Sequence, residues 1–182
     1  MSSATKVKLI TAADCELAVS MYPKFAYNAS SGGGTGTVQQ LGDNKLQINF
    51  DTDELQIPDL NWRTASVFGV PIPPPLNIAI RPNKFEGVLD LTTGQLDMNF
   101  SADFDFTVGS LYKAPSLKVA TTLTTEHSAG QIHKADGQRL SNGQVKLVGV
   151  ARVPKVDDAF LSTFLMLPTD ALAVMKAQLE FS

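Results

Sequence analysis

One cysteine, Cys15, stands in 182 residues, so no disulfide within the chain is available. A lone thiol without a flanking signature fits a reducing compartment, and the chain is read as cytoplasmic. No apolar run approaches the ~20 residues that a membrane-spanning helix needs. The opening MSSATKVKLI lacks the apolar stretch of a secretory signal. Positive charge is sparse, with 15 Lys and Arg scattered singly against 18 Asp and Glu. A protein that neutralises phosphates needs a clustered basic face, so nucleic acid is not an expected partner. Charged residues make up only 18% of the chain and hydrophobic ones 43%. That supplies a packed core and argues against disorder. No linker-like stretch divides the sequence, and residues 1–182 read as one β-rich domain.

Signatures of catalysis are missing as well. SSGGGTGTV (30–38) resembles a phosphate cradle, but no Lys follows its last glycine and no glycine falls three after Gly34 or Gly36. The stretch TVQQL after it reads as a strand, where both phosphate motifs need a helix. A flexible loop leading into a strand is the reading that remains. No Gly-x-Ser-x-Gly elbow is present, and Ser110 has no base or acid in view. His127 and His133, in TEHSAGQIHKAD, flank a turn at 128–130 that would bring them together with Glu126 or Asp136, but nothing else in the stretch is diagnostic of a metal site. No catalytic residue, metal ligand or cofactor is assigned, and the chain is not read as an enzyme.

What the sequence has in quantity is alternation. QLDMNFSADFDFTVG (95–109) sets Leu96, Met98, Phe100, Ala102, Phe104, Phe106 and Val108 against polar residues at every other position. The same period of two recurs in KLQINFD (45–51), LNIAI (76–80), KFEGVLDL (84–91), SLKVATTLTT (116–125) and MKAQLEF (175–181). QVKLVGVARV (144–153) is apolar on both sides and reads as a strand covered on both faces. Asn142-Gly143 is a strong hairpin signal, because a type I′ turn needs positive φ at both central residues. LGDNK, LTTGQL and ADGQ read as further hairpin turns, and RPNK breaks the pattern. Helix candidates are TAADCELAV (11–19), LNWRTASVF (60–68) and DDAFLSTFLML (157–167). The carboxylates Asp97, Asp103 and Asp105 diverge along a ribbon, as the wet face of an antiparallel sheet does.

A strand as long as 95–109 spans about 46 Å, well beyond the usual length. Left flat it would expose too much apolar surface. Sheets twist, and Gly87, Gly109 and Gly149 permit bends or bulges. The expected fold is all-β: a long, strongly curved antiparallel sheet closing into a barrel or half-barrel, with one or two short helices. Its concave side carries the Phe-, Leu- and Met-rich face, which either fills with its own side chains or holds a ligand. The same strand is also compatible with a flatter sheet covered by another protomer.

Two apolar stretches stand out. DDAFLSTFLMLP (157–168) has almost no polar relief and reads as a plug or lid against the sheet, an interface, or the mouth of an apolar pocket. NWRTASVFGVPIPPPLN (61–77) sets Pro73-Pro74-Pro75, expected as a stiff polyproline segment, beside Trp62 and Phe68. It reads as a rigid crossover loop, a pocket rim or a docking element.

SGGGTGTV, LNIAI with its preceding prolines, and FLMLPTDALAV together resemble small, uncharacterised β-rich proteins of cyanobacterial and plastid type. That resemblance implies an intracellular protein of a photosynthetic organism near membranes rich in lipids and pigments, and it brings no family active site. The strand pattern is similar to that of lipocalin-like lipid-binding barrels, an analogy of fold alone.

Two functions are expected from these readings. The first is non-enzymatic binding of a lipid, isoprenoid or carotenoid inside the curved sheet by Met98, Phe100, Phe104, Phe106, Phe160 and Phe164. The second is a protein–protein assembly role for 157–168 and 61–77, with Trp62, Pro73, Pro74 and Leu165 at the contact. Homo-oligomerisation and peripheral membrane contact are left open, although the shortage of Lys and Arg in 157–168 disfavours the latter.

Overall fold

Alternation becomes sheet along nearly the whole chain. A computed structural model describes residues 4–182. Its first half contains β1 (Lys6–Thr11), β2 (Cys15–Val19), β3 (Phe25–Tyr27), β4 (Gly33–Gly42), β5 (Lys45–Phe50), β6 (Ala65–Val67), β7 (Val70–Pro71) and β8 (Leu76–Asp90). There follow β9 (Leu96–Val108), β10 (Tyr112–Lys113), β11 (Leu117–Thr124), β12 (His127–Ala129), β13 (Lys134–Asp136), β14 (Gln138–Ser141) and β15 (Gln144–Val153). One helix, α1 (Ala159–Phe164), precedes the last strand, β16 (Thr169–Phe181). The class is all-β, with a single short helix among the described residues. None of the helical structure is long and apolar enough to cross a membrane.

All strands but β12 and β13 belong to one antiparallel sheet. Strand β15 pairs with β16 along its whole length and touches β11 through Thr124 and Val148. Between those two neighbours the ladder runs β11–β9–β8–β5–β4–β1–β16, so the pairings lead from β15 back to β15. Beyond β1, the N-terminal half of β16 pairs with β2, which continues through β3, β6 and β7.

Strand β9 runs unbroken, and its even-numbered residues from Leu96 to Phe106 face the core and the cavity. On the outer side its carboxylates are tied across strands. Asp105 accepts from Arg81 Nε at 2.7 Å, and Thr124 Oγ1 donates to Asp97 at 2.5 Å. The break expected at RPNK is instead a bulge inside β8. Pro82 pairs with Ala102 and Lys84 with Ser101, so Asn83 is the extra residue. This bulge reconciles two phases of the sequence. Ile78 and Ile80 face inward before it, Phe85 and Leu89 after it, and only an odd insertion keeps both sets on one face. Gly87 lies where β8 crosses closest to β9: a Cβ there would stand 1.9 Å from the Asp97 carbonyl oxygen.

Several local expectations are corrected by tertiary pairing. Residues 11–19, expected as a helix, carry strand β2, because β16 and β3 offer it hydrogen-bonded partners on both sides. Residues 60–68 form a turn and the short β6. The glycines Gly33, Gly34 and Gly36 lie within strand β4, paired to β1, and are not a loop before it. ADGQ makes no hairpin: β13 pairs with β12, whereas β14 pairs with β15. Pro74 and Pro75 form a turn into β8 and no polyproline segment. Leu91 lies past the end of β8 and is exposed. The turns at Asp43-Asn44 and Asn142-Gly143 do adopt the positive φ pair of a type I′ hairpin.

One half of the enclosed space is filled. Ile48, Leu89, Met98 and Leu147 are at most 1% exposed there, and Phe50 stacks on Phe85 with ring centroids 5.0 Å apart. Strand β15 is covered on both faces, as its composition suggested. Val148 on its outer face packs with Leu172, Val174 and Ala18 beneath the β12–β13 hairpin. Buried Asp170 holds that hairpin down, accepting from the Ile132 N–H at 2.7 Å and from Arg152 at 3.3 Å.

Candidate ligand cavity

The other half of the enclosed space is hollow. A cavity of about 470 Å³ lies between β9, β11, β15, β16 and β2. Its origin is a mismatch of side-chain size. On β9 the wall carries Phe100, Phe104 and Phe106. Across from them the β15–β16 ladder pairs Gly149 with Ala173 and Ala151 with Ala171. Two rungs of the smallest side chains cannot reach the phenylalanines. One rung toward the filled half, Leu147 pairs with Met175, and there the space closes.

Among the described residues no Asp, Glu, Lys, Arg or His lines the cavity, and Thr121 and Tyr22 supply the only side-chain hydroxyls. Both are engaged: Thr121 Oγ1 donates to the Val150 carbonyl at 3.0 Å, and Tyr22 donates its hydroxyl to the Phe164 carbonyl at 2.5 Å. The wall therefore presents nothing to recognise a charged group. It suits hydrocarbon, whose transfer from water is worth about 25 cal/mol per Å².

The mouth is formed by α1, the β2–β3 turn and the β6–β7 hairpin. Helix α1 begins at Asp158, whose carboxylate accepts from the Leu161 N–H at 2.8 Å. Leu161 and Leu165 anchor it inward, and Ser20 Oγ donates to the Leu165 carbonyl. Phe164 closes part of the opening and remains 43% exposed. Around it stands a chain of aromatic side chains, with Phe160 exposed and Tyr22 and Tyr112 half-buried. Tyr22 lies 5.8 Å from Phe164, Phe160 stacks on Phe164 at 5.8 Å, and Tyr112 meets Phe160 edge-on at 5.2 Å. Phe68, at the tip of the β6–β7 hairpin, is 89% exposed.

The structure sorts the sequence-derived residues. Phe100, Phe104, Phe106 and Phe164 line the cavity together. Met98 does not: it sits one rung deeper, fully buried in the filled half. Phe160 points outward at the rim. Among the residues assigned to a partner contact, Trp62 is exposed with Arg63 over its ring at 5.0 Å, and Pro73 and Pro74 are exposed. Leu165, at the C-terminal end of α1, is buried and lines the cavity, so it offers no outer surface to a partner. The two histidines are separately engaged, His127 Nδ1 with Asp136 and His133 Nε2 with the Ser20 carbonyl, each at 2.7 Å. Sequence reasoning missed Gly149, Ala151, Ala171 and Ala173. Their signal is small residues at alternate positions of two strands, which acquires meaning only once the strands are paired in register. Compared with family models, curated proteins and solved structures, the chain finds no match in any of the three.

Proposed function

We propose that the protein is a non-enzymatic carrier or store of an apolar molecule, held inside a sheet that curls into a barrel. The observation that carries this reading is the uncharged cavity of about 470 Å³. Self-filled barrels of this strand number are common, but here two rungs of Gly and Ala leave the space open. Taking a methylene group as about the size of a water molecule, roughly 30 Å³ each, the cavity is on the order of a chain of sixteen carbons. A lipid acyl chain or a linear isoprenoid fits that size. A carotenoid of about forty carbons needs roughly 1,200 Å³ on the same scale and would project through the mouth.

The test is native mass spectrometry of protein purified from its own source, with an organic extract and an absorbance spectrum of the same sample. Excess mass that passes into the solvent supports the reading, and the extract distinguishes acyl, prenyl and pigment cargo. Protein of bare mass that also takes up neither hexadecanol nor farnesol would overturn it.

A second reading is favoured by the exposed apolar side chains. Phe68, Leu111, Phe160 and Trp62 leave large apolar surfaces uncovered, as an assembly surface for another protein does. Under this reading the purified protein is an oligomer, or comes with a partner, and its cavity is incidental.

A further inference from the structure

On one side the cavity is bounded by a partition and not by solid core. A second, smaller chamber of about 100 Å³ lies beyond it, walled by Cys15, Tyr27, Leu55, Ile80 and Phe85. Four residues border both spaces: Phe100, Phe104, Leu17 and Ala173. They come from opposite walls. Phe100 and Phe104 stand two inward positions apart on β9, and Leu17 and Ala173 are registered partners across β2 and β16. The two chambers thus adjoin, with a partition between them.

The two aromatic rings of the partition differ in support. Phe100 is backed edge-on by Phe85 at 5.9 Å, which itself stacks on Phe50, so it belongs to the aromatic floor. Phe104 has no comparable ring-on-ring support among the described residues and borders both spaces. The inner chamber is no less suited to hydrocarbon than the outer one. Tyr27 donates its hydroxyl to the Pro58 carbonyl, and burial raises both its phenol and the Cys15 thiol above their ordinary values, so both stay neutral. Glu16 borders the chamber, but its carboxylate is turned to an exposed pair with Lys24 at 3.7 Å.

We infer that Phe104, with Phe100 behind it, is a chain-length stop: it divides one apolar tunnel and fixes how long a hydrocarbon chain the protein accepts. This rests on the apolar-ligand reading above. The ligand class that follows is a single unbranched chain entering end-on, its polar end left at the mouth. Opening the partition adds the inner chamber, worth about three carbons at about 30 Å³ each, and the place of the removed ring.

The experiment offers wild type and Phe104→Ala an equimolar mixture of straight-chain alcohols from about ten to about twenty-two carbons. Native mass spectrometry then reads which lengths are retained, since each complex reports its own chain by mass. Wild type is expected to select chains near sixteen carbons, and Phe104→Ala to shift its optimum upward by at least about three. Phe104→Leu, which keeps more of the packing, should shift it in the same direction by less and serves if the alanine variant does not fold. An unchanged optimum in a folded variant overturns the chain-length stop and leaves the ligand reading standing. Failure of wild type to retain any length overturns the ligand reading itself.

Discussion

Ala151 and Ala171 face each other across the β15–β16 ladder, and the space they leave is the cavity. Replacing one of them with a large side chain should refill it. Ala171→Phe is expected to weaken retention of a sixteen-carbon alcohol at least about tenfold, a loss of about 1.4 kcal/mol. The melting temperature should hold or rise, because the new ring enters a void and displaces no core residue. Retention assays beside a thermal melt check both parts.

Met98 marks the filled half. Met98→Ala should destabilise the fold by about 2–5 kcal/mol, the usual cost of emptying a well-packed core position. Ligand retention by the folded fraction should be unchanged, since Met98 does not border the cavity. Urea unfolding gives the first quantity. A comparable loss of ligand would mean that the two halves are not separate.

Asn83 is the residue that makes the bulge. Deleting it should be far worse than substituting it. The deletion forces the inward residues on one side of the bulge to the outer face, exchanging Ile78 and Ile80, or Phe85 and Leu89, for their polar neighbours. Loss of cooperative unfolding and of soluble yield is expected, whereas Asn83→Ser should stay within about 0.5 kcal/mol of wild type.

Asp170 is a buried carboxylate with a structural task. Burial pushes its carboxyl up. The hydrogen bonds from the Ile132 N–H and Arg152, helped by the Gln131 N–H and the Arg152 charge, outweigh this and hold it below the ordinary value. A carboxylate with a depressed folded-state pKa contributes stability above its unfolded pKa of about 3.9 and loses it as pH falls through the folded value. Asp170→Asn should therefore cost about 1–3 kcal/mol near neutral pH, the cost of losing charge-assisted hydrogen bonds at a buried acceptor whose Arg152 partner is half exposed. It should also remove part of the wild type's acid sensitivity. Urea midpoints for both proteins over a pH series test this, with the two curves converging toward low pH.

How much of this was legible before folding differs between elements. Strand β9 could be read whole, because its apolar residues alternate without error. Strand β2 could not: CELAV suits a helix as well as a strand, and only the free edges of β16 and β3 decide for the strand. Helix α1 was legible in place but not in orientation. Apart from Ser162 and Thr163 its residues are apolar nearly all round, so nothing in the sequence says that Leu161 and Leu165 turn inward while Phe160 and Phe164 stay at the rim.

The candidate site divides along the same line. Period-two alternation by itself determined that the chain makes two-faced strands and that Phe100, Phe104 and Phe106 share one face, and the Asn142-Gly143 pair by itself determined a hairpin turn. These are local properties, set by backbone geometry and by side chains a few residues apart. Only the tertiary structure decided that this face is half core and half cavity. That outcome depends on register: Gly149 and Ala151 lie in one strand, Ala171 and Ala173 in another, and a shift of pairing along the ladder would have set each beside a larger neighbour. Cavity volume is a sum over facing strands, and no stretch of sequence contains it until the pairing is fixed.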